Sequence, residues 1–366
     1  MRVSPVKKFF VKHGASFSER YGTEIVDRVH DTRTEYEAVR DAVAVTDFSF
    51  MQKFRFPEES GLDHLDTLLA GNVAKVRFGR VMHTYLPDED GMLLADCYIA
   101  NNDDEFIVLA ESIVDDSVMR SRFLCEGSHG GEDLTESHVV LSIDGYKAWD
   151  VARQLFGADV LGLPYLSIER YMFNDVPVRL FRSGKTSEFG YLVMAPNEIA
   201  DALFEKIFEL VQTIGGALCG NFIHNDLRLE GRFFNIFAEG KAVRDPLALG
   251  LQWMIDFEKE QFPGKDALLA RRGAGLEKKI IGVAASGSVT LEAGTKIFDG
   301  ENAVATVTTA CFSYVLEKSI ALALFDADVA YAGLTFTYGS PSGPVVQTIS
   351  MPPIMPKSLS IKLDEL

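Results

Sequence analysis

The order of secondary-structure signals over residues 50–125 recurs over residues 138–214, and this repetition constrains the fold more than any other feature of the 366-residue chain. In the first copy, Phe50, Phe54 and Phe56 read as a strand, and Gly61–Ala70 reads as a helix with Leu62, Leu65, Leu68 and Leu69 on one side. Three strand-like runs follow, Arg80–Leu86, Met92–Ala100 and Glu105–Ala110, separated by the turn-rich Pro87–Gly91 and Asn101–Asp104. A helix from about Asp115 to Cys125 closes the copy. The second copy offers a strand at His138–Ile143, a helix at Tyr146–Phe156, strands at Leu166–Phe173, Val176–Phe181 and Phe189–Met194, and a helix beginning near Asn197. That last helix carries Leu203, Ile207, Leu210 and Ile214 on one face and stops at Gly215-Gly216. No residue-level identity joins the copies, so the repeat lies in the pattern. Each β-α-β-β-β-α unit can bury its sheet under its own helices, which predicts an α+β fold with two sheets, each covered on one face.

The flanks read differently. Residues 17–45 have helix-like spacing, and the glycine-rich Glu126–Glu136 resembles a linker in composition. From Ile280 the chain becomes a succession of short β-rich runs (Ser288–Leu291, Ala303–Thr309, Ser319–Phe325, Leu334–Tyr338) with glycine turns, which predicts a small all-β barrel. The charged Arg271–Gly275 reads as the connection, dividing the chain into residues 1–276 and 277–366.

Within the first copy, Gly91–Ile99 places one carboxylate, Asp96, inside an otherwise apolar strand, on the same face as Tyr98 by period-two alternation. Such a carboxylate either finds a hydrogen-bond partner or carries a raised pKa, so it reads as a structural cap or as a working acid. A working acid predicts that Asp96→Asn loses activity with little change in stability. The 36 basic and 53 acidic residues give a formal charge of −17, which opposes binding to nucleic acid or anionic membranes. Cys97, Cys125, Cys219 and Cys311 form no CxxC pair, the seven histidines form no metal-ligand spacing, and a reducing cytoplasm fits. No signal-peptide core, transmembrane run, GxGxxG, GxxxxGK[ST] or GxSxG occurs.

Several stretches, in order along nearly the whole chain, resemble the glycine-cleavage T-protein family of folate-dependent aminomethyltransferases and their demethylase relatives. Arg182-Ser183-Gly184-Lys185-Thr186-Ser187-Glu188-Phe189-Gly190-Tyr191 is similar to its R-T-G-Y-T-G-E-D-G-Y/F segment, and Asn225–Glu230 to the end of A-R-D-T-L-R-L-E. Asp47–Met51 resembles D-x-S-H-M, Phe262–Leu268 resembles F-x-G-K-x-A-L, and Ala305–Ala310 and Ile320–Ala323 resemble G-x-V-T-S-G and I-A-L-A. The resemblance implies a cloverleaf of two α+β folate-binding domains with a C-terminal β-barrel domain. It implies an enzyme that transfers an aminomethyl or methyl unit from a small donor to tetrahydrofolate.

The family's G-G-I-x-D-D strand matches Gly91–Asp96, which makes Asp96 the implied catalytic carboxylate, with Ala95 replacing the first Asp. Implied folate-binding positions are Met51, Tyr85, Tyr171, Lys185, Glu188 and His224, although Met51 equally suits core packing and Glu188 equally suits a fold-stabilising hydrogen bond. The sequence also departs from the pattern. Leu192 stands where the family has the acid that binds the pterin ring, His224 where it has an Arg, Asn225 where it has an Asp, and Lys185 where it has an aromatic. Those departures imply folate binding weaker than the family norm, or a relative with a changed ligand. A non-catalytic folate-binding or assembly protein on the same fold is a third reading, but its K-G-C-Y-x-G-Q-E mark has no counterpart in Phe262–Leu269. The lipoyl carrier H-protein that the resemblance implies as a partner is usually acidic, and a charge of −17 opposes steering between the two.

Overall fold

The computed structural model describes residues 1–102, 104–125 and 130–363, so Asp103 of the expected turn and residues 126–129 of the expected linker lie outside the described residues. The chain begins with a hairpin of β1 (Ser16–Arg20) and β2 (Thr23–Arg28), followed by a helix at Thr32–Asp41 and β3 (Ala44–Asp47). This corrects the helical reading of residues 17–45, of which only the second half is helix. Tyr21 and Gly22 both take positive φ (48° and 75°), the geometry of a tight two-residue hairpin turn.

The two repeats then form as read. The first is β4 (Gln52–Pro57), helix Glu58–Leu68, β5 (Arg80–Pro87), β6 (Leu93–Asn102), β7 (Glu105–Ser112) and helix Asp116–Phe123. After the two-residue strand β8 (Glu132–Asp133), the second is β9 (His138–Asp144), helix Ala148–Phe156, β10 (Ser167–Phe173), β11 (Val176–Arg182), β12 (Gly190–Pro196) and helix Ala200–Thr213. The expected pair of sheets is joined into one, in the order β13-β3-β9-β12-β11-β10-β5-β6-β7-β4-β8, where β13 is Ala217–Cys219. Outward from the centre the two halves read β5-β6-β7-β4 and β10-β11-β12-β9, so corresponding strands occupy corresponding places. The halves meet where the equivalent strands β5 and β10 pair antiparallel at Arg80 and Ser167. An antiparallel meeting of equivalent strands makes the repeats two-fold related about an axis normal to the sheet.

The helices of both repeats cover the same face. Cys97 and Ile99 of β6 pack with Leu65, Met119 and Phe123, while Val139, Leu141, Tyr191 and Val193 pack with Val151, Leu203 and Ile207. The other face carries Tyr98, Phe181, Leu192 and Met194, covered by Ile25 of the hairpin and by Phe48, Phe50 and Met51. Helix Asn221–Gly231 also lies on this side and carries the contact to the last part of the chain, since its Leu229 packs on Ile320 and Leu322.

That last part is a closed barrel in the order β14-β17-β16-β15-β18-β19, made of β14 (Lys278–Ala285), β15 (Lys296–Asp299), β16 (Asn302–Ser313), β17 (Lys318–Asp326), β18 (Thr335–Tyr338) and β19 (Val345–Ile349). Ser288–Leu291, expected as a strand, is a loop. Arg271–Ala274 are the last turn of a helix, Lys265–Ala274, rather than a flexible connection. Leu268 anchors that helix in the core, and Gly275 (φ 86°) ends it.

Candidate functional site

Alternation along β6 turns Asp96 away from the repeated helices, into the face closed by the hairpin and by helix Asn221–Gly231. Across β6 and β7, Asp96 is directly opposite Glu111, so two carboxylates share one buried face. Like charges so placed need cations between them. Two are present. Lys185 donates to Asp96 Oδ2 and lies 3.4 Å from Glu111 Oε2, and Arg228 donates to both Glu111 oxygens at 2.7 Å. His83 Nε2 is 2.5 Å from Asp96 Oδ1, which completes a chain His83–Asp96–Lys185–Glu111–Arg228. The Asp96 residue is 2% exposed and Lys185 6%.

Local geometry aims Lys185 at this chain. The segment after β11 folds back so that Gly184 lies against Gly190, and a Cβ on Gly184 would stand 2.9 Å from Gly190 Cα and 2.7 Å from Asp144 Oδ1. Only glycine allows that approach. Arg228 arrives from helix Asn221–Gly231, one turn after His224, which shares its inner face.

Electrostatics decide the state of the carboxylates. Burial alone pushes the Asp96 carboxyl up, but the charges of His83 and Lys185 outweigh it and hold the group well below the usual carboxylate range. Glu111 behaves likewise, with burial opposed by Arg228 and Lys185, and it too is lowered. Of the two outcomes an apolar strand allows for Asp96, a hydrogen-bond partner or a raised pKa, the structure shows the first, and the pKa is shifted down. Burial lowers His224 to about 3, with Arg228 adding to the effect, so the imidazole is neutral; its Nε2 is 3.1 Å from Thr46 Oγ1.

Among the described residues, the Tyr98 hydroxyl and Arg228 Nε, both buried beside this chain of charges, have no protein partner. The Tyr98 ring lies 5.3 Å from Lys185 Nζ and 4.6 Å, between centroids, from His83. His83 in turn stands edge-to-face with Trp253 at 5.2 Å, and Trp253 is 61% exposed. The buried charges therefore approach solvent through His83 and Trp253.

Of the expected site residues, the structure brings together Asp96 and Lys185, with His224 one helical turn from Arg228. Tyr85 is directly opposite Asp96 across β5 and β6, but its ring packs among Phe234, Leu249 and Phe262 and its hydroxyl donates to the Gly91 carbonyl at 3.3 Å. Tyr171 lies on the helix-covered face against Phe156, its hydroxyl 3.3 Å from Asp159. Met51 is core. Glu188 belongs to a second buried group, where Arg40 donates to Glu188 at 3.1 Å and to Glu230 at 2.8 Å. Glu230 also accepts from Tyr36 and from Ser313 of the barrel, so that group ties helix Thr32–Asp41 to the barrel. Leu192 is 2% exposed among Phe48, Phe181 and Met194.

His83, Glu111 and Arg228 were missed by the sequence reading. The signal for Glu111 was available: a symmetric hairpin about residues 103–104 pairs 96 with 111. A hairpin about Pro87–Gly91 with one bulge places His83 diagonal to Asp96.

Comparison with known proteins agrees with this architecture. Residues 6–259 match the GCVT N-terminal domain, and residues 278–355 match the glycine cleavage T-protein C-terminal barrel domain. An aminomethyltransferase of Mycobacterium avium is 29% identical over 321 residues, covering 86% of each chain, and one of Caldanaerobacter subterraneus is 25% identical over 340 residues, covering 91% of this chain and 90% of the relative. The crystal structure of glycine cleavage system aminomethyltransferase T from Bartonella henselae superposes with a TM-score of 0.82, at 20% identity, covering 97% of this chain and 98% of that one. With both of its parts matched in order, the chain belongs to the glycine cleavage T-protein family.

Proposed function

We propose that this chain is a T-protein-like, folate-dependent one-carbon transferase whose transfer centre is Asp96. The observation that carries the reading is a carboxylate buried in the sheet yet held ionised by two partners, at the position that resembles the family's catalytic acid. Tetrahydrofolate, when bound, supplies the amine nitrogen that accepts the one-carbon unit.

The residues present suit a polar ligand at this centre. Tyr98 and Arg228 each offer a buried donor or acceptor without a protein partner, and Asp96 offers a fixed negative charge. A carboxylate kept so far toward its ionised form serves as a hydrogen-bond acceptor and as an electrostatic stabiliser of positive charge developing beside it. His83 bonds Asp96 Oδ1 on one side and stands against the exposed Trp253 on the other, so it orients the carboxylate at the side nearest solvent. At the positions resembling the pterin contacts, Leu192 and His224 offer no charge, so the chain binds a reduced folate more weakly than its relatives do. An unpaired buried polar group costs about 1–3 kcal/mol, roughly ten- to a hundredfold in affinity.

The charge of −17 favours a small donor molecule over docking of an acidic lipoyl carrier protein. Among the described residues no helix is long and apolar enough to cross a membrane. A calorimetric titration with tetrahydrofolate tests the proposal. The expected result is measurable binding that Asp96→Asn weakens. No binding by the unaltered chain would favour the changed-ligand reading, to which the burial of Leu192 already points.

A further inference from the structure

The reacting end of the site holds a cation that is part of the chain. Asp96 Oδ2, Glu111 Oε2 and the ring of Tyr98 surround a single position, and Lys185 Nζ fills it. Two carboxylates and an aromatic face are the elements that bind an alkylammonium ion. The remaining oxygens are also taken, Asp96 Oδ1 by His83 and Glu111 Oε1 by Arg228, which bonds Oε2 as well. With Lys185 in place, Asp96 and Glu111 balance Lys185 and Arg228, and the group carries no uncompensated negative charge.

We propose that Lys185 is the specificity-determining residue of this site: as a tethered ammonium it occupies the cation seat made by Asp96, Glu111 and Tyr98, so the site takes donors whose reacting group is uncharged and rejects ammonium or sulfonium donors. An incoming cation would meet Lys185 and Arg228 at short range in a water-poor environment, where like charges repel far more strongly than in water. A neutral ether, thioether or free amine meets no such barrier and finds the unpartnered Tyr98 hydroxyl beside it. The resemblance sharpens the point, since an aromatic residue replaces Lys185 in the family pattern and a seat without its own cation has room for a charged amine. The inference rests on the transferase reading for the word donor, but the seat itself is a property of this chain.

The test is chemical rescue. Lys185→Met empties the seat and leaves two facing carboxylates short of a cation, so its melting temperature falls. Methylammonium chloride, compared with sodium chloride at equal ionic strength, restores it by refilling the seat. At about ten times the dissociation constant the rise is about 2 °C. The unaltered chain and Lys185→Arg, whose seats are full, show no methylammonium-specific rise.

An equal rise in the unaltered chain overturns the proposal, and so does a Lys185→Met protein indifferent to methylammonium. Lys185→Gln, which keeps a hydrogen bond to Asp96 without the charge, guards against a variant too unstable to purify. If both variants stay unfolded at any methylammonium concentration, rescue has failed and the seat is rejected. No folate enters the experiment, so its outcome is separate from that of the tetrahydrofolate titration.

Discussion

Asp96→Asn and Lys185→Met, made singly and together, probe whether the buried charge chain is a unit. Removing one partner of a buried ion pair costs about 3–5 kcal/mol, because the other charge remains in a medium that cannot solvate it. For Asp96→Asn the lower end applies. Lys185 keeps Glu111 at 3.4 Å, and an asparagine oxygen can still accept from one of the two former partners. Lys185→Met leaves Asp96 with His83 alone and facing Glu111 across β6 and β7, so its cost lies toward the upper end. In the double variant the charges vanish together, and the cycle should return a coupling of about 2–3 kcal/mol, well above the 0.3–0.5 kcal/mol scatter of independent sites. Urea titrations of the four proteins measure it. This differs from the expectation for a working acid read from the sequence, in which Asp96→Asn leaves stability almost unchanged. Stability by itself therefore no longer separates a structural from a catalytic Asp96, and turnover per folded molecule is the second readout, expected to fall about 10²–10³-fold. The pH dependence fixes the sign. Because the folded pKa of Asp96 is depressed, its contribution is complete above the unfolded carboxylate pKa near 3.9 and is lost as pH falls through the folded value. The advantage of the unaltered chain over Asp96→Asn should be level from pH 8 to about pH 4 and shrink below. A coupling under about 0.5 kcal/mol, or an advantage already halved at pH 6, refutes the reasoning.

Three further outcomes follow from the same geometry. Leu192→Glu alone should lower the melting temperature, since it sets an unpaired carboxylate among Phe48, Phe181 and Met194, whereas Leu192→Glu with His224→Arg should recover much of the loss and tighten tetrahydrofolate binding in calorimetry; a fully stable single variant would contradict this. His224, lowered to about 3 by burial, stays neutral in the fold while the unfolded chain takes up a proton below about pH 6.5, so stability should decline from about pH 6.5 toward pH 3 by up to about 1.4 kcal/mol per unit, and His224→Gln should flatten that slope in denaturant titrations. Gly184→Ala drives a methyl into Gly190 and should cost about 1–3 kcal/mol while displacing Lys185, read as a lowered melting temperature with a parallel loss of folate binding.

What could be read from the sequence was what depends on local pattern. The six-element repeat and the helix at Ala200–Thr213 were visible because amphipathic spacing is written in consecutive residues. Ser16–Arg28 was misread because a short, polar hairpin has too few apolar positions to separate period two from period 3.6, and its decisive signal was the Tyr21-Gly22 turn. Arg271–Ala274 was misread because composition suggested a connection, while Leu268 and the Arg271 bond to the Asp90 carbonyl hold the segment as helix. Joining of the two sheets at Arg80 and Ser167 leaves no local trace, because it is set by the relation between the repeats rather than by either one.

The site itself was legible as departures from a pattern, and the structure shows what those departures have in common. Leu192 pairs with Ser142, Ser142 pairs with Thr46, and His224 stands 3.1 Å from Thr46, so the acid and the Arg that the pattern leads one to expect are lost from neighbouring places at the β12 end of the face. Glu111 and Lys185 bring an acid and a cation to neighbouring places at the β6–β7 end. Lys185 is paired with both Asp96 and Glu111, as a buried ion must be when an unpaired one costs several kcal/mol. Removing one member alone would leave a buried charge unpaired, whereas together Lys185 and Glu111 set paired charges beside Asp96. Charged partners thus gather around Asp96 at that end of the face, and a change in such partners alters which ligands a site accepts without requiring a new fold.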